Sequence, residues 1–112
     1  MIFSSSRRIF IKPGFTDLRK SINGLSTIVQ EVLAEDPFSE AYFVFCNRRR
    51  NLLKIVYWDR NGYCLWLKRL EEDKFSWPRQ GQNKRELKAD EFKWLLDGLD
   101  FDRAHKSKRY VQ

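Results

Sequence analysis

Three adjacent arginines, Arg48-Arg49-Arg50, stand between Asn47 and Asn51. Neighbouring guanidiniums repel one another, and a fold alone gives little reason to assemble them. Guanidinium forks match the oxygens of a phosphate, so this cluster suits contact with a polyanion backbone. A solvated turn is the competing reading, because connecting segments are generally polar. A second group occupies two apolar runs, with Cys64, Trp66 and Lys68 alternating along one and Lys54 and Trp58 along the other. On an open sheet face, rings interleaved with cations form a platform for single-stranded nucleic acid. The competing reading packs the tryptophans beneath a helix and lets the lysines reach outward past them.

The acidic residues Asp17, Asp59, Glu71, Glu72, Asp73, Asp90 and Glu91 could in principle supply a two-metal nuclease site. Glu72-Asp73-Lys74 fits a loose acid-x-Lys spacing, but such tripeptides arise by chance in a chain that is 33% charged. No glycine-rich phosphate loop, nucleophile elbow or Cys/His dyad is present. Cys46 and Cys64 lack metal-ligand spacing and sit in apolar stretches, which reads as two reduced core residues. His105, the sole histidine, lies in a polar stretch without ligand partners. The reading is a protein that is not an enzyme, with no metal and no cofactor.

Such residues need a scaffold, and 112 residues allow one modest core. The expected organisation is one domain over residues 1–102 and a basic tail over 103–112. A net charge of +7 favours a polyanionic partner through counterion release, although it also serves solubility. Aromatic residues at 15% exceed what so small a core readily buries, so some rings are expected on the surface. Met1 to Lys12 lacks the apolar core of a signal peptide, and no run is long enough to span a membrane. A soluble, cytoplasmic protein is expected.

Arg8 to Lys12 reads as a strand ended by Pro13-Gly14. Thr16 or Asp17 is the expected cap of a helix whose inner face is Leu18, Ile22, Leu25, Val29 and Val32, up to Pro37. Gly24 within it is expected to pack closely on the sheet. Strands follow at residues 41–46, 52–58, 63–70 and 74–77, with Asn61-Gly62 as a hairpin turn shaped by Asp59. Residues 79–85 read as a mobile basic loop, and 89–97 as a second helix stopped by Gly98. The fold class is α+β: an antiparallel meander of about four to five strands with both helices on one face.

The order of short motifs adds a resemblance. Thr16-Asp17-x-Arg19-Lys20 with Gly24-Leu25, Asp36-Pro37-Phe38-Ser39, Phe43-Val44-Phe45 and Asn47-Arg48-Arg49 come first. Trp58-Asp59-x-x-Gly62, Leu65-Trp66-x-Lys68-Arg69-Leu70-Glu71, Phe75-x-Trp77-Pro78 and Leu95-Leu96-x-Gly98-Leu99-Asp100 follow. Over roughly Arg8 to Asp100 the chain resembles the small TnpB-type accessory protein of the insertion-sequence-sixty-six family of bacterial transposable elements. That protein shares only a name with the RNA-guided nucleases also called TnpB. Phe15, Asp73 and Lys88 depart from the usual pattern, Lys88 standing where a Ser or Thr cap is usual.

The resemblance implies a non-catalytic accessory role in DNA transposition beside a separate transposase. Combined with the charge pattern, it leads us to expect phosphate contacts to DNA, at the element's ends, from Arg48, Arg49, Arg50 and Arg60. Arg19, Lys20, Lys68 and Arg69 are second choices, and Lys106, Lys108 and Arg109 a diffuse attraction. Asp17 is expected to cap a helix. The alternative is a module that docks the transposase, or another accessory protein, without touching DNA; aromatic residues and arginine dominate such interfaces equally.

Overall fold

The computed structural model describes residues 3–98. The elements run β1 (Ile9–Ile11), α1 (Ile22–Glu31), β2 (Tyr42–Cys46), β3 (Leu52–Asp59), β4 (Gly62–Arg69), β5 (Arg85–Leu87) and α2 (Ala89–Leu96). They form a five-stranded sheet in the order β4-β3-β2-β1-β5. The α+β class is as expected, and β2, β3 and β4 form the antiparallel meander. The sheet is nevertheless mixed, because β1 pairs parallel to β2. The long connection carrying α1 makes this possible, since parallel neighbours need a crossover.

The helices lie on opposite faces of the sheet, which corrects the expectation of one covered face. Ile9, Ile11, Tyr42, Val44, Cys46, Leu53 and Ile55 pack with Phe92, Leu95 and Leu96 of α2. The alternate residues Phe10, Phe43, Phe45 and Val56 pack with Leu25 and Val29 of α1 and with Leu18 and Leu33. Strands β1 and β2 are therefore buried at every position. A strand covered on both sides reads as a continuous apolar run, as Ala41 to Cys46 does.

Helix α1 begins later than expected. Ser21 Oγ accepts the Gly24 N–H, whereas Asp17 turns back on itself, accepting the Arg19 N–H at 3.0 Å. Leu18 is buried from that turn and not from a helix. Val32, expected inside, is 37% exposed and Leu33 replaces it in the core. The chain leaves α1 through wide closures, Leu33 N–H to Ile28 O and Glu35 N–H to Val29 O, with Ala34 at φ 53°. Gly24 is not pressed against the sheet; the atoms nearest to a Cβ placed there belong to the Lys20 side chain.

Residues 74–77 form no strand. Phe75 and Trp77 are instead buried from an irregular segment, and the fifth strand, β5, comes from the end of the expected basic loop and pairs with β1 at the edge opposite β4. The Trp77 indole N–H donates to Lys12 O at 3.1 Å and Gly14 O at 2.8 Å, and Gly14 N–H returns to Pro78 O at 2.7 Å. This clamp fixes how the chain leaves β1. Helix α2 starts where expected. Lys88 cannot accept a capping bond, so the Glu91 carboxylate takes the Lys88 N–H at 2.9 Å, half of a capping box. Gly98, at φ 79°, ends the helix as expected. The anticipated tail, residues 103–112, lies outside the described residues. Both cysteines are free, and burial pushes the Cys46 thiol up to about 12. Among the described residues no helix is long and apolar enough to cross a membrane.

Candidate nucleic-acid interface

The β2–β3 tip is built by its two asparagines. Asn47 Oδ1 accepts the N–H groups of Asn51 and Leu52, both at 3.1 Å, and its Nδ2 donates to Asn51 Oδ1 at 2.8 Å. The Arg50 N–H closes a turn on Asn47 O at 3.1 Å. Sequence reading singled out the arginines and missed this frame, although asparagines bracketing a polar run are its signal. Held this way, Arg48 and Arg49 project into solvent and form no ion pair among the described residues. Arg50 differs: it is half-buried and sits at φ 59°.

A left-handed backbone costs a side-chain-bearing residue about 1–2 kcal/mol relative to glycine, which suggests Arg50→Gly as a test of the tip. The variant is expected to be more stable by about 1 kcal/mol in urea denaturation while retaining any nucleic-acid affinity carried by Arg48 and Arg49.

The segment after β1 runs alongside the tip because Thr16 N–H donates to Cys46 O at 2.8 Å. Between them lies a cleft of about 550 Å³, lined on one side by Phe15 to Arg19 and on the other by Asn47, Arg48, Arg49 and Leu52. The Lys54 ammonium, donating to Leu18 O at 2.5 Å, ties the first wall to the sheet. Arg19 reaches the cleft wall already paired with Asp17, Nη2 to Oδ2 at 2.8 Å. The cleft thus gathers three guanidiniums against one carboxylate. On the opposite flank of the tip, Arg49 and Lys74 face Glu71, Glu72 and Asp73, so the positive field concentrates on the cleft side.

Hydrogen bonds from Arg19, followed by its charge and that of Lys20, hold the Asp17 carboxyl down at about 2. A depressed carboxyl stabilises the fold above its unfolded pKa and loses that contribution as pH falls through the folded value. NMR titration is expected to place the Asp17 midpoint near 2, and Arg19→Ala to raise it only part of the way, because the N–H of residue 19 still donates to the carboxylate.

The remaining site candidates are distributed elsewhere. Arg60 sits at the β3–β4 tip, at the far end of an eight-residue strand about 25 Å long, with its Nε 3.9 Å from Asp59. That tip turns on Arg60-Asn61, closing on the Asp59–Gly62 pair, so Gly62 is the first strand residue and not a turn residue. Asp59 gives the turn its carbonyl, which accepts the Asn61 N–H, while its carboxylate faces Arg7 and Arg60. Arg69 pairs with Glu71 at 3.2 Å. Lys20 is exposed beside the cleft.

The ring-and-lysine platform does not form. Lys68 pairs across the sheet with Leu53 and Lys54 with Leu67, so the two lysines belong to opposite faces. Lys68 donates to Leu96 O at 2.6 Å, neutralising the end of α2. Trp66 packs edge-on against Phe3 under α2, and Trp58 packs with Phe38 and Tyr63 on the other face. Among the described residues no three His, Cys, Asp or Glu side chains gather as metal ligands.

Fold and site together define a small α+β protein organised around an arginine-lined surface cleft. The profile of the IS66 Orf2-like proteins matches residues 7–106, and the chain belongs to that family. Two proteins of Sinorhizobium fredii are similar to it. One, y4hO, is 36% identical over 94 residues, covering 84% of this chain and 82% of its own. The other, y4jC, is 34% identical over 103 residues, covering 92% of this chain and 88% of its own. No solved structure matches significantly. Family membership makes this a non-catalytic accessory protein of a bacterial insertion sequence, with its role in transposition.

Proposed function

We propose that the protein assists a separate transposase in the bacterial cytoplasm by binding DNA through backbone phosphates at the cleft between residues 15–19 and the Arg48-Arg49 tip. The observation that carries this reading is one of contrast. Arg7, Arg8, Arg19, Arg60, Arg69 and Arg85 lie within ion-pair distance of carboxylates, whereas Arg48 and Arg49 project together without an ion pair among the described residues. Arg49 borders Glu71, Glu72 and Asp73 only on the flank away from the cleft. An arginine already paired offers a phosphate little net attraction; an exposed, unpaired one releases the phosphate's counterions at full effect. Arg60, Lys68, Arg69, Arg50 and Lys20 then fall into lesser roles, and Lys106, Lys108 and Arg109 add attraction by charge alone.

Fluorescence anisotropy with a labelled element-end duplex and a scrambled duplex tests this. Both duplexes are expected to bind, with the logarithm of affinity falling linearly against that of salt concentration. A protein that ignores both duplexes at about 50 mM salt yet captures its transposase would hand the role to the docking alternative.

A further inference from the structure

The outermost strand, β4, is open. It pairs only with β3, over eight consecutive residue pairs without a bulge. The N–H of Leu70, just beyond it, donates to Asn51 O, so even-numbered residues along this strand turn their backbone groups toward β3. Tyr63, Leu65, Leu67 and Arg69 therefore point theirs outward, and no backbone bond reaches that edge among the described residues. Proteins usually protect such an edge with a lysine, a proline or a bulge. Here Lys68 is drawn away to α2, and Tyr63-Cys64-Leu65-Trp66-Leu67 carries no charge. On the α1 face Leu65 is 40% and Leu67 52% exposed. Phe38, 58% exposed, stacks on Tyr63 and extends the apolar surface.

We propose that β4 pairs antiparallel with β4 of a second copy of this chain, about a two-fold axis at Trp66. Charge complementarity points to a second copy as the partner, and the extent of β4 selects the register. With the axis at Trp66, Leu65 faces Leu67 of the second copy and Tyr63 faces Arg69. The exposed Arg60 of each copy is then carried to the acidic turn Glu71-Glu72-Asp73 of the other. The Trp66 register pairs all four outward residues of β4 with one another; slipping the axis to Leu65 leaves Arg69, and slipping it to Leu67 leaves Tyr63, opposite a turn residue beyond the strand. In the Trp66 register the four outward residues of each copy exchange backbone hydrogen bonds, and the exposed leucines meet on one face. The two Arg48-Arg49 tips then stand at opposite ends of one continuous sheet.

Sedimentation equilibrium and hydrogen exchange on the full chain test the pairing independently of DNA. A reversible dimer is expected, with the amides of Tyr63, Leu65, Leu67 and Arg69 slowing as concentration rises. Leu65→Lys with Leu67→Lys should leave the circular dichroism spectrum unchanged and weaken dimerisation at least about 100-fold. Arg60→Glu should weaken it about 3- to 10-fold, and Glu72→Arg in the same chain should restore it. Should the lysine variant misfold, the charge exchange decides alone, and failure of restoration overturns the proposal. So does a monomer at about 1 mM, or β4 protection that arises only on adding the transposase.

Discussion

Replacing Arg48 and Arg49 together by alanine is expected to abolish most DNA affinity while leaving the protein as stable as before. Each guanidinium that contacts a phosphate contributes a charge-assisted bond of about 1.5–3 kcal/mol, so the pair accounts for about 100-fold or more. Removing two phosphate contacts should also flatten the log–log salt dependence by about two units, equally on element-end and scrambled duplexes. Stability should not follow, because both side chains are exposed and unpaired while the tip is held by Asn47 and Asn51. Anisotropy across a salt series, beside a urea melt of the same variant, reads both quantities. Unchanged affinity, or loss of affinity with an unchanged slope, would remove phosphate contact at this tip.

Trp77→Ala is expected to have the largest effect on stability, about 3–5 kcal/mol, because a buried ring is deleted from a small core. A domain of this size has only about 5–15 kcal/mol in total. Trp77→Phe isolates the polar part of the effect. It keeps most of the ring but removes the donor to Lys12 O and Gly14 O, at a cost of about 1–3 kcal/mol. These bonds fix the exit of β1, from which residues 15–19 reach the cleft. Trp77→Phe should therefore weaken DNA binding while leaving the salt slope intact, since no phosphate contact is removed. Urea denaturation and the same salt series separate this positioning role from the direct contacts of Arg48 and Arg49.

Local chemistry wrote much of the fold legibly. Ala41 to Cys46, Leu52 to Trp58 and Tyr63 to Leu70 mark the meander because apolar runs between polar turns have few other solutions. Ala89 and Gly98 bound α2 because a helical period and a glycine stop are local signals. Other errors share a cause. Thr16 and Asp17 carry capping chemistry, but Asp17 spends its carboxylate on Arg19, leaving Ser21 to start α1. Phe75 and Trp77 alternate like a strand because both are buried, yet the Phe75 N–H goes to Arg50 O in the β2–β3 tip and the Trp77 indole N–H to the segment after β1. Arg85 to Leu87 is too short to show any period, and becomes a strand only because β1 offers an edge.

The sequence by itself determined the class of fold, the net positive charge, the arginine triplet and the family, since each is a property of residues in order. It also held an unread sign of the two covered faces in the unbroken apolar run of β2. Tertiary structure alone decided which cations are cancelled. Arg19, Arg60 and Arg69 meet carboxylates, and Lys54 and Lys68 are spent on carbonyls, while Arg48 and Arg49 stay unpaired beside a cleft. Electrostatic partnership acts through space over a few ångströms, and folding sets those separations by bringing together segments far apart in the chain.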